Sequence, residues 1–308
     1  MKQDPTRQQK IAAQRAAAGR RRVRNRILLA AGSIVAVAAV VVALVLVKVG
    51  SGPGTAPTAS EGPTGAALRT LVAEVTSVPS STLDGVGAGS LTTGDFGSGG
   101  SLTNVSGPPL ASGGKPEVLY VGANFCPFCA AERWPMIVAL SRFGAFSGLS
   151  TNHSSTTDEY ADTPTFTFYG SSYRSNYVSF VPVEETTNER VGNSAAQNVS
   201  YVTLQVPTAA EQALLDNYDP GTGEGNSIPF IDIGNRYVEI ANLPPYGPQD
   251  LAGQTWAQVA AALRDPASAI AQGVDGSANY LTAGICELTG NQPATACTAT
   301  VRGLEGQL

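Results

Sequence analysis

The chain has 308 residues, 43% of them hydrophobic, with four cysteines, one histidine and a formal charge of −5. That length has room for two average domains, but the composition argues against two. The charge is uneven: the first 26 residues carry nine Lys or Arg against one acid, Asp4, which leaves ten bases against 23 acids and a net of −13 beyond them. So acidic a remainder excludes a nucleic-acid footprint, which needs a basic stripe.

After the basic tail, Ile27 to Val47 is a run of 21 uncharged residues rich in Val, Ala, Leu and Ile. About 20 apolar residues cross a hydrocarbon core as a helix, so residues 27–47 are expected to form a transmembrane helix. Positive charge on its N-terminal side keeps residues 1–26 in the cytoplasm and puts the chain after Lys48 outside the cell membrane. The run exceeds the about 7–15 apolar residues of a cleaved signal peptide and is read as an uncleaved single-pass anchor. Four cysteines in the exported part, an even number, fit an oxidising compartment.

Residues 48–63, rich in Gly, Pro, Ser, Thr and Ala, are expected to be a flexible linker. Leu68, Leu71, Val72 and Val75 then stand at helical spacing, ending before Pro79. A Gly/Ser-rich stretch comes next, with Leu102, Val105 and Leu110 as isolated anchors, so residues 64–114 are expected to wrap a main extracytoplasmic domain of residues 115–308. "EVLYVGA" predicts a buried strand, and from Pro127 to about Phe146 the pattern predicts a helix with Trp134, Ile137, Val138 and Leu140 on its core face. "TPTFTFYG" and "YVSFVPVE" predict two strands joined by a turn at "SSYRSN". "TAAEQALLDNY" predicts a helix opened by a Thr208–Glu211 capping box. "PFIDIGN" and "RYVEIANL" predict a hairpin turning at Gly234-Asn235. "TWAQVAAALRD" predicts another helix, and the last forty residues look helical with a cysteine-containing end. The sum is an α/β domain with a mixed sheet.

The chemistry concentrates in "NFCPFC", at the junction of the first strand and helix. The first cysteine, Cys126, falls where unpaired backbone N–H groups and the helix dipole favour an anion. A thiolate is the nucleophilic form, and Cys129 lies one turn further in, placed to attack a mixed disulfide at Cys126. Pro127 suits the first helical turn because it has no N–H to leave unpaired. The second feature is "NSIPFIDIGN", where Pro229 comes after Ile228 and leads into a strand. Base rates alone favour a trans bond there.

"NFCPFCAAERW", with "SIPFIDIGNRY" about a hundred residues later, resembles the thioredoxin fold. That resemblance implies a Cys-x-x-Cys opening the first core helix and a cis-proline loop facing the cysteines. It implies Cys126 and Cys129 as the catalytic pair and Pro229 with Ile228 as the wall of a substrate groove. More narrowly, "KPEVLYVGANFCPFCAAERWPMIVALSRFG" and the late "GICELTGNQPATAC" resemble a family of membrane-anchored thioredoxin-like proteins known as a domain of unknown function. The Pro-Phe between the cysteines differs from the Gly-Pro of thioredoxins and the Pro-His of strongly oxidising periplasmic enzymes, which leaves the direction of electron flow open.

Other residues carry weaker signals. A zinc site would need four ligands, and the ten residues between Cys286 and Cys297 are not the spacing of a second zinc knuckle. Those two cysteines are expected to pair with each other, either as a staple on the C-terminal segment or as an electron relay. Glu132, one turn after Cys129, is a candidate for proton transfer to the resolving thiol or else a helix-surface residue. Phe128 is a candidate docking handle beside the nucleophile. His153 sits in a polar loop and is read as solvated. No phosphate loop or histidine cluster points to a nucleotide, flavin or metal, so no cofactor is expected. The expected function is therefore a membrane-anchored thiol–disulfide oxidoreductase. It would act on cysteine-containing exported proteins or with a membrane redox partner. The competing class is a non-enzymatic, tethered envelope-binding domain that uses its cysteines as structural disulfides.

Overall fold

The structure, a computed structural model, describes residues 61–91, 102–191, 200–219, 226–240 and 246–308. The expected basic tail (1–26), the transmembrane helix (27–47) and most of the linker (48–63) lie outside the described residues. Among the described residues, no helix is long and apolar enough to cross a membrane.

Helix α1 (Gly65–Val75) forms on the apolar spacing seen in the sequence and buries Leu71 and Val75. Pro79 then opens a second helix, α2 (Ser80–Val86), absent from the sequence expectation. A proline before a first turn costs nothing, because that N–H would have no helical partner. The chain next runs against a late helix so closely that a side chain on Gly89 would collide with the Gln272 carbonyl oxygen. Gly89 also has a φ of +65°, so both space and backbone require glycine there.

Two short strands, β1 (Thr103–Asn104) and β2 (Ala111–Ser112), lead to the central strand β3 (Lys115–Gly122). β3 reads as an unbroken apolar run because both of its faces are covered. Val118 and Tyr120 belong to the larger core cluster, and Leu119 and Val121 to the smaller one. Helix α3 (Pro127–Ser141) packs in the larger cluster through Trp134, Ile137 and Leu140. It ends short of the predicted Phe146 because Gly144–Ser147 forms strand β4, paired antiparallel with β7 (Ser172–Ser175). Here a distant pairing outweighs local helix propensity.

Strand β5 (Ser150–His153) pairs antiparallel with β6 (Pro164–Thr167). The strands expected in "TPTFTFYG" and "YVSFVPVE" both form, but they do not pair with each other, and the supposed turn between them contains β7. The second becomes β8 (Ser179–Glu184), which lies parallel to β3. A further antiparallel pair, β9 (Thr186–Val191) and β10 (Ser200–Thr203), was not signalled by any alternation.

Helix α4 (Ala209–Tyr218) opens on the expected capping box, with Glu211 N–H donating to Thr208 Oγ1 at 3.3 Å and Thr208 N–H to Glu211 Oε2 at 2.6 Å. Its Leu215 completes the smaller cluster with Val183, Phe230 and Val238. Strands β11 (Phe230–Ile233) and β12 (Tyr237–Ile240) form the hairpin, where Gly234 and Asn235 take φ of +68° and +55°. Tight hairpin turns require such positive φ values. Helices α5 (Trp256–Ala262), α6 (Ala269–Leu288) and α7 (Ala299–Glu305) finish the chain. The sheet runs β1–β12–β11–β3, with β8 and β2 on the far edge of β3. It is a mixed α/β sheet with α3 and α6 on one face and α4 on the other. Val105 and Leu110 pack on the smaller cluster and Leu102 joins the larger, so the segment before β3 shares its core with the residues from β3 onward.

Candidate functional site

The site grows from the junction of β3 and α3. Cys126 is the N-cap of α3, in extended conformation, with Pro127 in the first turn. Its Sγ accepts the Cys129 N–H at 3.3 Å, so one orphan donor of the helix start is satisfied by sulfur. Cys126 and Cys129 are not bonded to each other or to another cysteine. Cys126 retains 5% of its exposure and Cys129 none, while Phe128 between them is 38% exposed. The Ile228–Pro229 bond is cis, and the Ile228 carbonyl oxygen lies 3.8 Å from Cys126 Sγ.

The two thiols are driven apart electrostatically. Burial raises Cys126, but hydrogen bonds from the Cys129 side chain and N–H, the Arg133 charge and the Phe128 N–H hold it below the usual thiol range. Burial also raises Cys129, and there its hydrogen bond to Cys126 and the Cys126 charge add to the effect. Arg133 and the Ala123 N–H oppose it without winning, so Cys129 is pushed well up. The outer cysteine is thus the readier nucleophile and the inner one holds its proton.

Arg133 is fully buried and bonds Glu184 on β8 through both arms of its fork, Nε to Oε1 at 2.9 Å and Nη2 to Oε2 at 2.6 Å. Burial alone would lower the Arg133 pKa, but Glu184 beside it raises it, so the guanidinium stays charged. Its carbon centre lies 5.8 Å from the Tyr120 ring centroid. A side chain on Gly122 would collide with the Tyr120 hydroxyl and stand 3.1 Å from Cys129 Sγ, so only bare backbone fits at this end of β3.

The other residues expected at the site are spread more widely. Glu132 is not on the surface: it is fully buried and faces Glu239 on β12, whose pKa is raised well above normal by burial and then by the Glu132 charge. The charge that acts on both thiols is that of its neighbour Arg133. Cys286 and Cys297 form a disulfide with Cα atoms 5.7 Å apart, and both are fully buried. His153 is half-buried in the β5–β6 ladder, 3.0 Å from Asp162 Oδ1, and not in a solvated loop. Phe128 meets the Tyr160 ring edge-on at 6.3 Å, and Phe125 stacks on Tyr201 at 4.3 Å. Arg133 was legible in principle, since it stands four residues after Cys129 and so shares its helix face. Glu184 and the two tyrosines carry no local signal.

Fold and site together define a mixed α/β protein with an asymmetric Cys-x-x-Cys pair at a helix N-terminus, facing a cis-proline segment. The family described as "Domain of unknown function (DUF929)" matches residues 101–287, and the chain belongs to it. No curated protein and no solved structure matches the chain.

Proposed function

We propose that this protein is a membrane-anchored, extracytoplasmic thiol–disulfide oxidoreductase with a thioredoxin-like fold. The observation that carries the reading is the polarity of the pair: Cys126 favoured as thiolate and slightly open, Cys129 protonated and closed. The helix-opening Cys-x-x-Cys and the Ile228–Pro229 segment beside it, ahead of the β11–β12 hairpin, support the thioredoxin-like assignment. The uncharged run Ile27–Val47 and the basic tail support the anchor and its orientation. The Cys286–Cys297 bond suits an oxidising compartment.

In the reducing direction, the Cys126 thiolate attacks one sulfur of a client disulfide. That S–S bond breaks, and the departing client thiolate takes a proton. Cys129 then gives up its proton and attacks Cys126 Sγ, which releases the second client thiol. The client gains two electrons and the pair becomes a disulfide. The reverse sequence oxidises a client dithiol, and a membrane redox partner resets the pair. Phe128 and the Ile228 carbonyl oxygen flank the sulfur that clients must reach.

The deciding measurement is the reduction potential of the Cys126–Cys129 pair against glutathione. A value between about −120 and −270 mV marks a catalyst. A value below about −300 mV marks a staple and sinks the proposal in favour of a binding domain with structural disulfides.

A further inference from the structure

We propose that the buried Arg133–Glu184 pair is a positioning device for the two cysteines: its guanidinium pins the turn that carries them and supplies the positive charge that favours the Cys126 thiolate. This rests on the redox reading above, and assigns the residues that set its reactivity. A buried ion pair is often no more stabilising than apolar residues of similar volume, so its presence points to a role other than stability.

Its placement supplies one. Arg133 Nη2 donates to the Ala123 carbonyl oxygen at 2.9 Å and reaches Asn124 Oδ1 at 3.4 Å. The same Ala123 oxygen accepts the Cys126 N–H at 3.3 Å, and the Ala123 backbone pulls the Cys129 thiol downward against its burial. Arg133 therefore grips the residue whose carbonyl oxygen holds the Cys126 N–H, at the start of the turn that carries both cysteines. Glu184 is itself fixed: its Oε1 accepts the Phe168 N–H at 3.1 Å, and its N–H donates to Gln205 Oε1 at 2.8 Å. Around the thiols, the charged or titratable groups from each packed element are Arg133 on α3, Tyr120 on β3 and Glu184 on β8. Tyr120 stays neutral, because burial raises its pKa well above normal. The pair thus presents its positive end to the sulfurs.

Opposite signs distinguish this from simple structural support. Glu184→Gln keeps a hydrogen-bonding group but unmasks the guanidinium, so Cys126 in the reduced full chain should alkylate faster at mildly acidic pH. Arg133→Gln removes the charge, so alkylation should slow. Each change is expected to be about threefold or more, from the usual effect of a nearby charge reduced by the lower nucleophilicity of a stabilised thiolate. Arg133→Lys should restore much of the rate lost in Arg133→Gln, because it keeps the charge while losing the fork. Since either single change leaves a buried group unpaired, the double variant Arg133→Met with Glu184→Met provides a second route and should alkylate more slowly than wild type. Rates that move in the same direction in the two Gln variants, or a double variant that matches wild type, overturn the proposal. So does failure of every variant to fold, which would make the pair a folding determinant. If wild-type protein does not exchange with glutathione at all, the redox reading fails, while the alkylation rates still judge the pair on its own.

Discussion

Replacing both Cys286 and Cys297 with Ala tests what the second disulfide is for. The bond closes a loop with a sequence separation of 11 residues. In the chain-entropy model, releasing a loop of that size costs about 3 kcal/mol. The rest of the segment has its own anchors, so the loss should stop there. Val301 and Leu304 on α7 are buried, Arg142 Nη2 donates to the Ala296 carbonyl oxygen at 2.6 Å, and Thr298 Oγ1 donates to Asp84 Oδ1 at 2.6 Å. For a domain of this size, 1 kcal/mol corresponds to about 2–4 °C, so the melting temperature should fall by about 6–12 °C. The assay is thermal unfolding of the full chain by circular dichroism, beside turnover of a small disulfide substrate. Both sulfurs are fully buried, so turnover should be unaffected. An unchanged melting temperature with lost reduction of Cys126–Cys129 would refute the staple and leave the relay.

The burial pattern leads to two further outcomes. Limiting iodoacetamide at mildly acidic pH should label Cys126 first after reduction, because its thiol is held low and Cys129 is pushed up; peptide mapping that finds Cys129 modified first reverses the assigned roles. Asp275 on α6 is fully buried, neither carboxyl oxygen is hydrogen-bonded to a described residue, and burial pushes its pKa up to about 8 against the pull of Arg142. The unfolded chain releases this proton near pH 4 and the folded chain keeps it to about 8, so from this group stability falls with rising pH across that window, by up to about 1.4 kcal/mol per unit. Asp275→Asn should remove that slope in urea midpoints measured at pH 5 and 7.5, and equal slopes in the two proteins would mean that Asp275 is charged when folded.

What the sequence made legible is what short-range physics controls. β3 shows as an apolar run because both its faces are covered, α4 by its capping box, and the β11–β12 hairpin by residues that tolerate positive φ. The Cys-x-x-Cys was legible for the same reason, since its chemistry depends on the first turn of one helix. Of the described strands between α3 and α4, β6 and β8 were legible and the others were not. β4, β5, β7 and β9 are half-exposed and polar, and their partners lie many residues away, so neither pairing nor register leaves a local trace. The role of Glu184 at the site left no local trace either. Glu184 ends a strand that reads only as β-rich, and its partner Arg133 is 51 residues away in sequence.

The division matters for how the site works. The local elements place two sulfurs at a helix N-terminus, which by itself favours a thiolate at Cys126. The helix start alone does not account for thiols that shift in opposite directions. Burial raises both, and charge and hydrogen bonds, which act on both, outweigh it only at the outer one. Burial is supplied by the core around α3, and the charge by a guanidinium that Glu184 holds in place across the β3–β8 pairing. On the proposed role of the ion pair, reactivity at Cys126 is therefore tied to completion of the sheet. A chain in which β8 has not docked on β3 would have Cys126 at its helix start without the ion pair that orients the turn.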